Sequence, residues 1–401
     1  MKSSTAKPPV GVPVFALLFL AALPIQEVGP WSVLWTAPAI LAAAMLIAWA
    51  AESAQFFIAQ GFALAILAWL QTLPEFAVEA VLAWKQQTPL LLANLTGALR
   101  LLTGLGWPMI YATAAFFYRR RESKPLRQID LEEEHCVEVI GLLACMGYAT
   151  VIWFKSSLTV FDAVVLILIY GAYLIVLSKM PVEEAEGIEE LELIPRSIVK
   201  ARKPVRVAVI SGLFIGGGGL IYFAAEPFLG SLLAVSASLG VPSFVFVQWV
   251  APFVSEFPEK VSAFYWARTI DRASMALMNM VSSNINQWTL LTAMLPIVLS
   301  LSVGSVTPIV FDQEQRIELL LTLGQAVVGM MFLMNMRLTW YEATIMFVFF
   351  WLPFVHPSWA KPVTVLYFAW AALEVGRMFA GRRKLLAVRH FGRIWKEHIT
   401  R

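Results

Sequence analysis

The sequence predicts an all-α polytopic membrane protein made of two inverted five-helix repeats plus one extra helix at each end, about twelve spans in all. Three observations predict this class. The 401-residue chain is 59% hydrophobic and only 14% charged, whereas soluble domains carry about 25% charged residues. Two of its long apolar runs contain a proline followed by a glutamate. Its basic residues are concentrated in alternate loops.

The order of apolar and polar stretches divides the chain into five segments. Residues 1–31 hold an extra apolar helix, which we expect to be retained, although a cleaved signal peptide is the alternative. Residues 32–178 form the first repeat, and the polar stretch 179–204 is a linker. Residues 205–356 form the second repeat. Residues 357–401 form a last helix and a basic tail, which we expect to lie on an anionic membrane face as an amphipathic helix.

The placement of basic residues predicts the orientation of the spans. When the predicted spans are threaded alternately through a bilayer, 24 basic residues fall on one side and 4 on the other. Cytoplasmic loops carry an excess of lysine and arginine in membrane proteins. We therefore expect a multi-pass protein of the cell membrane with the linker and both termini in the cytoplasm.

Each repeat contains one hairpin with a Pro-Glu pair: hairpin 70–105 with Pro74 and Glu75, and hairpin 254–291 with Pro258 and Glu259. Glu75 lies 12 residues before its turn and Glu259 lies 11 before its own. At about 1.5 Å per residue, each carboxylate is roughly 17 Å from a surface. Because the two hairpins turn on opposite sides, we expect the two acids to approach the membrane midplane from opposite directions.

The prolines make the same region suitable for an ion. A proline removes a backbone donor and frees a carbonyl oxygen in the preceding turn. Within a bilayer a freed carbonyl is tolerated only where it faces protein, water or an ion. Carboxylate, carbonyl, hydroxyl and amide oxygens are the ligands of a hard cation. Interrupted helices around a midplane site, within inverted repeats, are typical of secondary transporters.

Two motifs resemble those of a known family. Leu73-Pro74-Glu75 followed by Asn94-Leu-Thr-Gly, and Phe257-Pro-Glu followed by Asn279-Met-Val-Ser-Ser-Asn, resemble the two α-repeats of the sodium/calcium exchanger superfamily of calcium/cation antiporters. The chain is similar to a divergent, bacterial-type member. The resemblance implies ten spans in two inverted five-helix halves, with a cytoplasmic linker between them.

The resemblance also implies roles for individual residues. Glu75 and Glu259 match the two essential glutamates of the repeats, and Thr72 matches the serine of the first motif. Ser283 matches a serine ligand of the second repeat. The expected ligands of the transported cation are Glu75, Glu259, Thr72, Asn94, Asn279, Ser283, Glu256 and Glu79.

The first repeat departs from the family pattern. Gly97-Ala98-Leu99 stands where the family has Gly-Ser-Asn, so one serine ligand is missing. Arg100 and Lys260 lie within predicted spans, and we expect them to balance charge. Four glutamates against these two cations leave two negative charges, which suits one divalent or two monovalent cations. Lys260 could pair with Glu256, and Arg100 with Glu79 or Glu75. A buried acid left without a partner would admit coupling to H⁺.

The sequence therefore predicts a secondary active antiporter, not an enzyme, that exchanges Ca²⁺ or another cation against Na⁺ or H⁺ by alternating access. We expect no permanently bound cofactor. The expected partners are the lipid bilayer and the transported cations, with no nucleic acid; the oligomeric state is not predicted. The alternative is a transport-inactive membrane scaffold or sensor with the exchanger fold, which the loss of serine and the gain of Arg100 favour. A membrane enzyme ranks third, because no nucleophile–base set or phosphate loop is visible in the sequence.

Overall fold

The computed structural model describes residues 28–57, 69–70, 72–180, 191, 193–381 and 383–399. The predicted first span up to residue 27 and the acidic linker residues 181–190 lie outside these ranges, as does residue 71. The described part of the chain is almost entirely helical, with four short strands between helices.

The first half runs through α1 (Val33–Ala54), α2 (Leu73–Trp84), α3 (Thr88–Leu101), α4 (Trp107–Glu122), β1 (Gln128–Asp130), α5 (Cys136–Lys155), β2 (Ser157–Leu158) and α6 (Val160–Leu177). A short helix, α7 (Leu193–Val199), lies in the linker. The second half runs through α8 (Lys203–Leu239), α9 (Ser243–Ser255), α10 (Phe257–Ala267), α11 (Ala273–Asn286), α12 (Thr292–Val303), β3 (Ile309–Val310), α13 (Gln313–Leu333), β4 (Arg337–Thr339) and α14 (Trp340–Val355). The chain ends with α15 (Ala360–Phe379) and α16 (Leu386–Ile394).

Seven helical stretches in the described ranges are long and apolar enough to cross a membrane. They are Pro30–Ala54, Thr88–Glu122, Glu133–Lys155, Val160–Leu177, Lys203–Leu239, Ile270–Val303 and Gln313–Leu333. Two shorter apolar helices, α9 and α14, accompany them. The predicted helical membrane fold is therefore present, while the exact number of twelve spans stays a prediction.

The two halves repeat the same irregularity. A π-helical turn, Leu102–Gly106, joins α3 to α4, and a second one, Gln287–Leu291, joins α11 to α12. Each begins eight residues after the motif asparagine, Asn94 or Asn279. Single π turns inside α-helices occur frequently at functional sites. Their matched positions support an internal repeat.

The short strands pair in a way that an inverted repeat requires. β1 pairs antiparallel with β4, and β2 pairs antiparallel with β3. β1 and β3 follow equivalent helices in the two halves, as do β2 and β4. When one half is superposed on the other, β1 takes the place of β3 and β2 takes the place of β4. The β1–β4 pair and the β2–β3 pair therefore exchange positions. Loops that the threading places on the same side of the membrane are also the loops that meet.

The second repeat opens with a helix of 37 residues, α8, which continues through Pro227 to Leu239. It ends at Gly240, whose φ of +65° favours glycine. The helix that leads into the second hairpin is interrupted, because α9 ends at Ser255 and α10 begins at Phe257. A proline in the first turn of a helix is compatible with helix geometry, and Pro258 occupies the first turn of α10.

The basic tail packs on protein. Ala387 and Ile394 of α16 are 0% and 7% exposed, and α16 contacts α5 of the first half. The backbone N–H of Ala387 donates to the carbonyl oxygen of Met334 at 3.0 Å. Protein therefore covers Ala387 and Ile394, while Val388 and Trp395 of the same tail are 46% and 41% exposed. The expected contact of the tail with the membrane stays a prediction.

Candidate cation site

The two Pro-Glu pairs each begin a short helix. Glu75 lies in the first turn of α2, and Glu259 lies in the first turn of α10. Ahead of α2, the Thr72 carbonyl oxygen accepts hydrogen bonds from the N–H groups of Glu75 and Phe76 at 3.1 and 3.2 Å. The amino-terminal end of a helix is the positive end of its dipole. Both glutamates are therefore held where a negative charge is favoured.

The two hairpins meet through amides of the second repeat. Gln287 Nε2 donates to Glu75 Oε1 at 3.1 Å and to Glu256 Oε1 at 3.0 Å. Asn286 Nδ2 donates to Thr72 Oγ1. One amide thus joins a carboxylate of the first hairpin to a carboxylate of the second.

The other predicted residues lie around this contact. Asn94 Nδ2 donates to Glu79 Oε1 at 3.1 Å, and Ser283 Oγ donates to Glu259 Oε1. Lys260 forms the predicted ion pair with Glu256. Asn279 is fully buried on α11, one turn before Ser283.

The four glutamates are buried, and three of them are only partly satisfied. Glu75 and Glu79 are 0% exposed, and Glu256 and Glu259 are 1% exposed. Buried acceptor oxygens without a donor are Oε2 of Glu75, Glu79 and Glu259, Oδ1 of Asn94 and Asn286, and Oε1 of Gln287. Such groups are rare in folded proteins and need an explanation. An oxygen-seeking cation would supply the missing partner.

These oxygens do not form a closed metal cage. Across the described ranges, no set of three or more aspartate, glutamate, histidine or cysteine side chains is arranged to hold a metal ion.

Arg100 does not join this group. Its Nη2 lies 2.8 Å from Glu318 Oε2 on α13, and its guanidinium stacks 4.8 Å from the centroid of the Trp249 ring. This corrects the expectation that Arg100 pairs with Glu79 or Glu75. The reason is position: Arg100 lies six residues beyond Asn94 on α3, about 9 Å further along the helix axis. At that level α3 faces α9 and α13.

Because Arg100 pairs with Glu318 outside the site, the net charge of the site differs from the predicted one. Four carboxylates now stand against one ammonium, that of Lys260. If all four are ionised, three negative charges remain instead of the predicted two. Buried charge without compensation is costly, so the group requires cations or protons.

Gly97 allows the helices beside the site to approach closely. A Cβ atom at Gly97 would lie 1.8 Å from the carbonyl oxygen of Gln248 on α9. Gln248 Nε2 also donates to Glu318 Oε2 at 3.0 Å. The glycine of the first motif is therefore required by packing, although the serine that the family has next to it is absent.

Gln287 and Glu318 are the residues that sequence analysis missed. Gln287 occupies the place of a family asparagine and begins the second π turn, so its motif position was an available signal. Glu318 carried no such signal, because it belongs to neither motif and contacts Arg100 from a helix distant in sequence.

The fold and the site together define a class of protein. Two inverted helical repeats, each with an interrupted hairpin that carries buried glutamates to a shared contact, are the architecture of a secondary transporter. The sodium/calcium exchanger protein family matches residues 30–179 and 209–356, well over half of the chain. The protein belongs to that family.

Solved structures agree with this assignment. The crystal structure of the H⁺/Ca²⁺ exchanger CAX is 29% identical, with a TM-score of 0.86, over 97% of this chain and 98% of CAX. Native YfkE is 13% identical, with a TM-score of 0.59, over 88% and 99% of the two chains. The sodium-calcium exchanger NCX_Mj is 15% identical, with a TM-score of 0.53, over 86% and 99%. The last two likenesses show the fold alone. No curated protein matches the chain.

Proposed function

We propose that the protein is a secondary active antiporter that moves Ca²⁺ across a cell membrane in exchange for H⁺, by alternating access to a site between the two repeats. The observation that carries this proposal is the set of buried, unsatisfied oxygens on Glu75, Glu79 and Glu259. Beside them, the Gln287 amide joins Glu75 of the first repeat to Glu256 of the second. The similarity to an H⁺/Ca²⁺ exchanger over nearly the whole chain supports the choice of ions.

In this proposal Glu75 and Glu259 coordinate the ion, one from each repeat. The remaining oxygen ligands come from Thr72, Asn94, Asn279, Ser283, Glu256 and Glu79. Six to eight oxygen ligands in a flexible arrangement are what Ca²⁺ prefers, whereas Mg²⁺ requires a stricter octahedron. Hydrogen bonds from Ser283 to Glu259 and from Gln287 to Glu75 orient the two central carboxylates.

The ligand set of the site favours H⁺ over Na⁺ as the second ion. Two carboxylates that release Ca²⁺ become buried anions, and two protons restore the same total charge without needing coordinating oxygens. Sodium would need further ligands, but the first repeat has Ala98 in place of a serine. The exchange is then one Ca²⁺ for two H⁺ and moves no net charge. The transported ions are the substrates, and transport requires no permanently bound cofactor.

The proposed orientation follows the basic residues. We place the β1–β4 face, which carries most of the arginines and lysines, in the cytoplasm together with the linker and both termini. The partners are then the bilayer and the two transported cations.

A transport-inactive scaffold is the second candidate. The observation that favours it is the ammonium of Lys260, which is 5% exposed and bound to Glu256 inside the glutamate group. An internal cation of this kind could replace a transported one. The two candidates differ in whether purified protein gains stability when Ca²⁺ is added.

The experiment is Ca²⁺ uptake by proteoliposomes under an imposed pH gradient or an imposed Na⁺ gradient. We expect uptake driven by the pH gradient alone, and loss of uptake in Glu75→Gln and Glu259→Gln, because glutamine resembles a glutamate that never releases its proton. Glu314→Gln, an exposed change on α13, is the matched control. Uptake driven by Na⁺ would contradict the choice of H⁺, and full uptake in the double glutamine variant would contradict the site.

A further inference from the structure

A cavity of about 570 Å³ opens at the end of the helix bundle where the tail crosses both repeats. Its walls come from the β1–β4 pair, the end of α15 and the start of α16. The basic residues in these walls are Arg337, Arg377, Arg383, Lys384 and His390, and the acidic ones are Asp130 and Glu133. Its lining residues are distant in sequence from the four glutamates of the cation site, and none of those glutamates lines it.

Both acids in the cavity wall already have donors. Glu133 pairs with Arg393 at 3.1 Å and with His390 at 3.2 Å. Asp130 Oδ1 accepts a hydrogen bond from Gln128 Nε2 at 2.7 Å. Glu133 is therefore already engaged, whereas Asp130 keeps its charge against the four arginine and lysine side chains of the wall.

Arg383 forms the rigid floor of this arrangement. Its side chain is 4% exposed, with Nη1 at 2.5 Å from Glu374 Oε2 and Nη2 at 2.6 Å from Glu342 Oε1. Nη2 also donates to the Phe332 carbonyl oxygen at 2.9 Å. Its Nε is buried and has no acceptor. Two carboxylates already match the charge of Arg383, so this residue holds the floor of the cavity in place and adds no free positive charge.

Two further cations are available to a ligand from solvent or from the membrane. Arg337 and Lys384 are both exposed. Arg337 Nη1 makes only a long contact, 3.4 Å, with the neutral Gln128. No ion pair of Lys384 is found with the residues that the structure describes. These two side chains give the cavity its excess of positive charge.

Exposed apolar side chains lie close in sequence to the residues that line the cavity. Phe379 is 90% exposed, Trp340 is 57% exposed and Leu385 is 44% exposed. Aromatic residues at helix ends are typical of the membrane–water interface. A ligand that combines a negative headgroup with an apolar chain would contact both kinds of surface.

We propose that this cavity binds the phosphate headgroup of an anionic phospholipid, with Arg337 and Lys384 as the contacting cations and Arg383 behind them. Basic pockets between transmembrane helices on the cytoplasmic side are suited to such headgroups. The proposal does not depend on which ions the protein exchanges. Because the walls include the first repeat, the second repeat and the tail, the bound lipid holds all three together.

The test is thermal unfolding of the purified full-length protein in detergent during titration with phosphatidylglycerol, phosphatidylcholine or inorganic phosphate. We expect a saturable rise in Tm with phosphatidylglycerol only. We also expect roughly thirtyfold weaker apparent affinity in Arg337→Gln/Lys384→Gln, because each basic side chain near an anionic lipid contributes about a fivefold factor.

Lys361→Gln, an exposed change at the opposite end of α15, is the control and should titrate like the wild type. Both residues changed in the double variant are exposed, so its own Tm without lipid should stay near the wild-type value. Three results would overturn the proposal: an equal response to phosphatidylcholine, an undiminished affinity in the double variant, or a rise with inorganic phosphate that equals the rise with lipid.

Discussion

Substitution of Arg100 by methionine separates two accounts of this residue. If Arg100 belongs to the Glu318 ion pair, the change leaves a carboxylate on α13 without its cation and leaves the cation site intact. If Arg100 balanced Glu75 or Glu79, the change would add a negative charge to the cation site. Methionine fills similar volume and keeps contact with Trp249, so the test isolates the charge.

The structure sets the size of the effect. Arg100 is 3% exposed and lies 2.8 Å from Glu318, whose side chain is 20% exposed. Removal of one partner from a buried ion pair costs about 3–5 kcal/mol. Glu318 keeps its hydrogen bond from Gln248 and some contact with solvent, so we expect the low end, about 3 kcal/mol. This is roughly a hundredfold change in the unfolding equilibrium.

The assay is a double-mutant cycle in mixed micelles with denaturant. Arg100→Met alone should lower the free energy of unfolding by about 3 kcal/mol. Adding Glu318→Gln should restore part of it, with an interaction energy above about 1.5 kcal/mol. The apparent Ca²⁺ affinity should change less than threefold. A large change in that affinity with no rescue by Glu318→Gln would refute the assignment.

Three further changes test other contacts. Gly97→Ala should force α3 and α9 apart and cost about 1–3 kcal/mol, with transport reduced in the same variant; wild-type stability would contradict the close approach. Arg383→Met should destabilise the protein by about 3–5 kcal/mol, because buried Glu342 loses its cation and buried Glu374 keeps only Arg377; chemical denaturation measures this, and a neutral result would contradict the ion pairs. Ser283→Ala should weaken Ca²⁺ binding roughly tenfold, because Glu259 loses a hydrogen bond, while Ser197→Ala in the linker should not; equal affinities would remove Ser283 from the site.

The Pro-Glu pairs and the spacing of basic residues were sufficient to predict the helical membrane class and the family. Both signals are local in sequence: a proline and a glutamate in an apolar run have one reasonable explanation, and loop charges reflect orientation directly. The sequence also predicted the ion pair of Lys260 with Glu256, because the two residues are one helical turn apart.

The partner of Arg100 could not be predicted in this way. Glu318 is 218 residues further along the chain, and its contact depends on the rotation of α13 relative to α3. Periodicity does not determine the rotation of one membrane helix against another when both are apolar on most sides. The contact of Gln287 with both Glu75 and Glu256 could not be predicted either. It depends on the π turn that directs the Gln287 side chain, and this turn has no clear sequence signature.

The helix break at Glu256 and the packing of the tail depended on tertiary contacts. An apolar run shows where a membrane helix can form but not where it is interrupted. The tail has the apolar spacing of an amphipathic helix, with apolar residues three or four positions apart. A lipid surface or another helix can cover such an apolar face equally well. Here α5 and the buried pairs of Arg383 with Glu342 and Glu374 determine where the tail packs on protein.

The most direct test of the central claim is Ca²⁺ binding to the purified protein, measured by calorimetry in the wild type, in Glu75→Gln, in Glu259→Gln and in the control Glu314→Gln. We predict saturable binding with release of protons in the wild type and the control, and no measurable binding in either of the two site variants. Binding of wild-type strength in both site variants would contradict a cation site shared by the two Pro-Glu hairpins.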